Sequence, residues 1–347
     1  MIRFLKLPVI ICFSLLLLSA AGDTKSADGD LTFVDEDISS ADSEKSLLFS
    51  DLFPGLYFTD HYQKWILYEK GRPYWAPTEL EEKKRLLEQA RPFFLNNDIV
   101  AFYGHPLSKN MGILGRFEID ELNTKLNEVA AEYNELNGQR GVRKAFYIIY
   151  GTVQPKGEIG YIPDSLLQKY IRFALDHNML IFIDHQIGRY DPVESLKSML
   201  PYLHYPNVHL ALDPEWRTVK PMREIGSISA EEINRAQELM SLYLEKYNLY
   251  GSRMLVVHQF NHNMIKDRTD VRTGYKRVTL VHCADGFGNP ALKRGTYAYL
   301  AQAKNMPVKG FKLFYNFNIP GAGYDEPILT PAEVIALDPR PCVIMYQ

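Results

Sequence analysis

The sequence predicts an α/β protein built as a closed (β/α)₈ barrel, and three observations lead there. Eight short apolar runs recur from residue 99 to the last residue, helical stretches fall between most of them, and polar side chains gather at one end of the runs. The runs are IVAFYG (99–104), AFYIIYG (145–151), MLIFID (179–184), VHLALD (208–213), MLVVHQ (254–259), VTLVHC (278–283), FKLFYN (311–316) and CVIMY (342–346). Near-continuous apolar runs of this length fit strands covered on both faces, as in a parallel sheet. Eight of them alternating with helices predict a closed barrel before an open sheet.

The helices are read from their start signals and spacing. Residues 118–137 have helical periodicity. Pro163 and Asp164 open a second helix, Pro192 a third, and Ser229 with Glu232 forms a capping box ahead of a fourth. Residues 290–304 read as a fifth, and Thr330, Pro331 and Glu333 open the last. Residues 261–277 are too polar for a full helix between strands five and six, and the eighth strand has no helix after it.

Ahead of the barrel the composition changes three times. Residues 1–22 carry Arg3 and Lys6, then an apolar stretch, then Ser19, Ala20, Ala21 and Gly22. This charged–apolar–small order is that of a secretory signal, too short in its apolar part to span a bilayer. An uncleaved anchor is the alternative. Residues 23–45 are acidic and rich in Ser and Gly, which predicts a disordered linker. Residues 46–98 are dense in aromatics and contain a capping box at Thr78 and Glu81 before a helix over 79–90. This arm is expected to pack on the barrel, with a lid or stacking element as the sharper reading. The barrel proper is then 99–347.

Charge and cysteine content narrow the partners. Loss of Arg3 and Lys6 with the signal takes the formal net charge from −3 to −5, which argues against nucleic acid or an anionic membrane as partner. Cys283 and Cys342 remain, both in strand-like apolar segments, and read as buried free thiols. The expected location is secreted, periplasmic or at the cell surface.

Working groups of such barrels cluster at the C-terminal ends of the strands. Here those ends offer Tyr103 and His105, Tyr150, then Asp184, His185 and Gln186 with Arg189 close behind. Next come Asp213, Glu215 and Trp216, then His258, Gln259 and Asn261. His282 and Asp285, Tyr315 and Asn316, and finally Tyr346 and Gln347 complete the ring. Any one of these can be a strand end returning to water; the whole set is the functional signal. In strand four, side chains alternate, so His209, Ala211, Asp213 and Glu215 share the inner face if the strand continues through Pro214. Two close carboxylates in a cleft split their pKa values, and the longer Glu215 is the choice for a general acid with Asp213 as partner. The plain alternative is an Asp-Pro turn with Glu215 paired to Arg189 or Arg217. Lys312 lies within strand seven and points either inward beneath the mouth or to solvent.

The Asp-x-Glu of Asp213–Pro214–Glu215 resembles the end of the fourth strand in lysozyme-like and chitinase-like glycoside hydrolase barrels, where clustered acids include a catalytic Glu. The segments NVHLALDPEW, VVHQF, LVHCADG and IMYQ resemble an exported bacterial barrel family, often lipoproteins or cell-wall-associated, with no established activity. That resemblance covers roughly residues 97–347 and implies export and the barrel; this chain lacks the lipidated Cys of its lipoprotein members.

The resulting expectation is a glycoside-hydrolase-like enzyme acting on an envelope or extracellular polysaccharide, needing no cofactor. Glu215 is the acid, Asp213 its partner, and Asp184 or Asp285 the second carboxylate, whose distance decides retention or inversion. Tyr103, His105, His185, Arg189, Trp216, His258, Gln259, His282, Tyr315 and Asn316 are the candidates for substrate contacts. The rival is a hydrolase using Zn²⁺ or a similar ion held by His105, His258, His282 and Asp285. It lacks a His-x-His or His-Glu-x-x-His pattern, and Tyr103 stands where a barrel amidohydrolase has its first histidine. A third reading is a non-catalytic barrel that binds a glycan or a partner. No Gly-x-Ser-x-Gly elbow and no Gly-rich phosphate loop are present.

Overall fold

The computed structural model describes residues 67–69, 72–74, 93–249 and 251–347. The expected signal segment and linker, and the capping box at Thr78 and Glu81, lie outside the described residues. Of the aromatic arm, a two-stranded antiparallel hairpin (Leu67–Glu69 with Arg72–Tyr74) and one helical turn (Phe93–Asn96) are described.

Eight parallel strands form the barrel: β1 Asn97–Gly104, β2 Gly141–Val153, β3 Leu180–His185, β4 Val208–Leu212, β5 Arg253–Gln259, β6 Val278–Ala284, β7 Lys309–Leu313 and β8 Val343–Tyr346. Each pairs with the next, and β8 pairs with β1, from Val343 opposite Ile99 to Tyr346 opposite Phe102, which closes the ring. This is a TIM-type (β/α)₈ barrel. A short strand, Ile159–Tyr161, folds back antiparallel on the end of β2.

The helices between strands are α1 Ile119–Leu136, α2 Asp164–Asp176, α3 Pro192–Lys197, α4 Ala230–Lys246, α5 Pro290–Ala301 and α6 Pro331–Ile335. Their starts follow the sequence signals. Ser229 and Glu232 form the capping box of α4, Thr330 and Glu333 that of α6, and the Asp191 side chain accepts from the backbone N–H groups of Val193 and Glu194 at α3. The β5–β6 connection holds only 3₁₀ turns and a two-residue strand at Ile265–Lys266, as its polarity predicts. Among the described residues β8 is the last element.

Alternation along each strand divides the core into two shells. Inside the barrel lie Ile99 and Ala101, Ala145 and Tyr147, Leu180 and Phe182, Ala211, Val256, Val281 and Met345. Outside, against the helices, lie Val100 and Phe102, Phe146 and Ile148, Ile181 and Ile183, Leu210 and Leu212, Leu255 and Val257, Leu280, Phe311 and Leu313, and Ile344. Phe93 and Phe94 pack on the inner shell at the N-terminal end. There Asp98, almost fully buried, takes Arg140 on one oxygen and Arg340 on the other, and so ties the start of β1 to the segments entering β2 and β8. Cys283 and Cys342 are free thiols, the first buried and the second half-buried. Among the described residues no helix is long and apolar enough to cross a membrane.

Candidate functional site

The inward positions change character toward the C-terminal end of the barrel. Below they are aliphatic and aromatic. Above, the inner side chains of successive strands are Tyr103 (β1), Tyr147 (β2), Asp184 (β3), Asp213 (after β4), His258 (β5), Asp285 (after β6) and Lys312 (β7). The inner parity that starts with apolar residues thus ends in a buried ring of charge.

Contacts join the ring. The Tyr103 hydroxyl donates to Asp184 Oδ2 at 2.8 Å. His258 Nε2 lies 2.8 Å from the Tyr147 hydroxyl and 3.7 Å from Asp184 Oδ2. On its other side, His258 Nδ1 is 3.2 Å from Asp285 Oδ2, an ion-pair distance. Lys312 Nζ is 3.0 Å from Asp285 Oδ1 and 3.6 Å from the centre of the Tyr103 ring.

Strand four does not continue through Pro214, as the shared-face reading required. It ends at Leu212, and Pro214–Trp216 forms a 3₁₀ turn with Asp213 as its extended N-cap. Proline at the first position of the turn fits, since no N–H is needed there. The turn is locked by the Gly226 N–H, which donates to the Glu215 carbonyl at 2.7 Å. A Cβ at Gly226 would stand 2.3 Å from the Pro214 carbonyl oxygen, so only glycine fits. Through this turn rather than through strand pleat, the carboxylates of Asp213, Glu215 and Asp285 come within 4.8 Å of one another. Glu215 is only partly buried, whereas Asp213 and Asp285 are buried. The alternative pairing of Glu215 with an arginine is absent among the described residues: Arg189 faces Glu158 and Arg217 faces Glu232.

Electrostatics sort the four carboxyls. Burial raises Asp213 to about 7, with Asp184 and Asp285 adding and His258 opposing. Burial, then Asp213 and Asp285, push Glu215 well above the usual carboxylate range. Burial also raises Asp184 against the pull of His258 and Lys312. Asp285 goes the other way. Burial works to raise it, but Lys312 and His258 outweigh burial and draw it down to about 2. The cations answer in kind: burial works to lower His258 and Lys312, and the carboxylates raise both.

Several residues expected at the mouth lie elsewhere, for one reason: they occupy the other parity. His185 faces outward from β3, accepts the Ile187 N–H at Nδ1 and meets the Tyr161 hydroxyl; burial lowers it to about 4. Gln259 and His282 face outward from β5 and β6 and bind each other, with Oε1 2.7 Å from Nε2, while Lys309 Nζ meets His282 Nδ1 at 3.2 Å. Tyr315 stacks on Tyr346 in the outer shell. Others are loop residues. His105 accepts the Leu107 N–H, Asn316 accepts the Asn318 N–H in an exposed turn, and Trp216 ends the 3₁₀ turn half-exposed. Arg189 lies on a separate cavity of about 330 Å³ that also touches Arg217, Thr218 and Gly226. Tyr147 was not among the expected residues; the period-two count from Ala145, which places it inward beside Tyr103, is the signal that finds it.

The histidine-based metal set is therefore corrected. His105 and His282 do not meet His258 and Asp285, because one sits in a loop and the other faces the helices. The group with spacing for an ion among the described residues is Asp213, Glu215 and Asp285. Both oxygens of Asp285, however, already face a cation, Lys312 or His258. A divalent ion there would be set against two positive groups within ion-pair range of one of its ligands, so the donor set fits a metal poorly.

No family model matches the chain, and no curated protein sequence matches it. Solved structures with similarity include a chitinase from Chromobacterium violaceum, at 11% identity over 62% of this chain and 68% of that one, with a TM-score of 0.36. A GH18 chitinase from Flavobacterium johnsoniae matches at 8% identity over 72% and 87%, TM-score 0.40. A family 18 chitinase from Crocus vernus matches at 9% identity over 72% and 92%, TM-score 0.37. At these identities and scores the similarity does not extend to an activity; the barrel itself is defined by the strand register above.

Proposed function

We propose that this barrel is a glycoside hydrolase with Glu215 as general acid. The observation that carries the reading is the grouping of Asp213, Glu215 and Asp285 within 4.8 Å, with Glu215 alone of the three not fully buried. A proton-holding carboxyl that is partly exposed, beside an ionised one, is the division of labour glycosidic cleavage needs. Glu215 delivers its proton to the glycosidic oxygen as the bond breaks. The Asp285 carboxylate, held ionised by Lys312 and His258, stabilises the positive charge that grows on the sugar and bonds to the anomeric carbon as the leaving group departs; water, losing its proton to Glu215, then adds to that carbon and frees Asp285. Asp213 takes up and returns the proton shared with Glu215. Asp184 is bonded to Tyr103 deeper in the barrel and serves the charge balance rather than the sugar.

The spacing favours retention of configuration, because inverting pairs stand roughly 6.5–9.5 Å apart to admit water. The N-terminal segment supports export, and the exported location together with the fourth-strand resemblance favours an envelope or extracellular polysaccharide as substrate.

The test is a screen of structural polysaccharides and aryl glycosides with Glu215→Gln as control. Loss of the acid is expected to cut turnover by about 10²–10⁴ while the protein stays folded. Full activity in the folded Gln protein would sink the assignment. Binding of a glycan without turnover in either protein would favour a binding barrel instead.

A further inference from the structure

Lys312 does no proton transfer in the scheme above, yet it is buried at the heart of the site. Its inward position on β7 puts Nζ 3.0 Å from Asp285 Oδ1 and 3.6 Å from the Tyr103 ring centre, with the residue only 3% exposed. An ammonium so far from water persists only beside a counter-charge.

Its backbone is fixed as well. The buried Lys293 of α5 donates from Nζ to the carbonyls of Lys312 and of Gly286, the residue after Asp285. Lys293 is itself paired at 3.2 Å with Asp325, which accepts the N–H groups of Gly288 and Phe314. One ammonium thus ties together the strand ends that present Asp285 and Lys312.

The charged and polar groups facing Lys312 and its partner Asp285 come from around the barrel: Tyr103 from β1, Asp184 from β3, Asp213 and Glu215 from the end of β4, His258 from β5, and Asp285 itself from the end of β6. Two cations therefore face four carboxyls. Both oxygens of Asp285 lie at ion-pair distance from a cation, whereas among the described residues neither oxygen of Asp213 does.

We infer that Lys312 is a positioning residue: its ammonium holds Asp285 as the anion that faces Glu215 and leaves the transferable proton on the Asp213–Glu215 pair. The charge assignment stands on geometry; its catalytic consequence rests on the glycosidase reading. The arrangement is a division of charge by distance, in which the carboxyl nearest the fixed cations ionises and those farther away keep protons.

The full chain labelled with ¹³C at Asp and Glu carboxyls tests this by NMR titration, with Asp285→Asn assigning the Asp285 signal. In Lys312→Met the Asp285 titration is expected to move up by at least about one pH unit, a tenfold gain in proton affinity. Lys312→Arg, which keeps the charge, is expected to hold it near the wild-type position. An Asp285 titration in folded Lys312→Met that coincides with wild type overturns the inference. Should Lys312→Met not fold, the double variant Lys312→Met/Asp285→Asn decides: recovery of the fold supports the inference, and failure to recover overturns it. With a hydrolysed glycan in hand, Lys312→Met is further expected to lower kcat at least tenfold, leave KM within about twofold and shift the pH profile; an unchanged profile also counts against it. The titration needs no turnover, so the absence of any hydrolysis would count against the proposed function and leave the charge assignment standing.

Discussion

Two buried polar clusters occupy the inner and outer faces of neighbouring strands. The inner one joins His258 and Lys312 to Asp184, Asp213 and Asp285. The outer one joins His282 and Lys309 to Gln259 and to the carbonyls of Leu300 and Ala303. Each holds one histidine and one lysine out of water, but their basicities move in opposite directions. In the outer cluster burial, then the neighbouring Arg268, lowers Lys309 to about 8. Burial, Lys309 and Arg268 lower His282. In the inner cluster burial pulls the same way, and the carboxylates overcome it. Burial alone thus does not mark a working site. A buried cation among dipoles is a satisfied structural group, whereas a buried cation among excess carboxyls is part of a proton store.

The comparison can be broken most forcefully at Asp285. Asp285→Asn removes the anion shared by two buried cations. Destabilisation of about 3 kcal/mol is expected, at the lower end for a broken buried pair because Asp213 can ionise in its place. Chemical denaturation at neutral pH measures it. The acid limb provides the sign. Asp285 is depressed from 3.8 to about 2, so its contribution is present above pH 4 and is lost as pH falls toward 2. The Asn variant should lack that part of the acid loss.

Lys309 sharpens the contrast in the alkaline range. Its folded value of about 8 lies below the ordinary 10.5, so the folded chain binds fewer protons than the unfolded one across that window. Stability from this group therefore rises with pH between about 8 and 10.5, and Lys309→Met should remove the rise. Lys312 is raised instead; its contribution is complete below the ordinary lysine value and is lost only as pH climbs past it. Denaturation midpoints across this range separate the two lysines. A rise that survives in Lys309→Met would mean that the outer cluster is not the titrating one. The smallest effect is expected at His105, where loss of one loop hydrogen bond in His105→Ala should cost no more than about 1 kcal/mol and leave any hydrolysis unchanged.

Much of this was legible before folding. The eight strands were placed within a few residues, because apolar runs bounded by turn signals are a local property. The capping boxes at Ser229 and Thr330 were readable for the same reason. The misplaced strand-end residues share one cause. His185, Gln259 and His282 stand at strand ends, but whether a strand-end side chain faces the axis or the helices depends on its parity with the residues below. Counting from Ala145, Met254 and Val281 assigns Tyr147 and His258 inward and Gln259 and His282 outward, so this part was in the sequence and required only the count. Asp213 and Glu215 are different. Period-two spacing placed them together on a continuing strand, whereas a 3₁₀ turn closed by Gly226 is what joins them to Asp285.

The sequence by itself determined the alternation of strand and helix, the inner and outer faces of each strand, and the choice of strand ends as the place where charge collects. These follow from periodicity, which each segment carries alone. Only the tertiary structure decided which charges meet. Asp285 and Lys312 come from different strands and find each other through barrel closure and register, and Lys293 fixes them from a helix. Coulomb interactions depend on distances between segments far apart in the chain, so no local pattern could state which of these carboxyls is pushed up and which is drawn down.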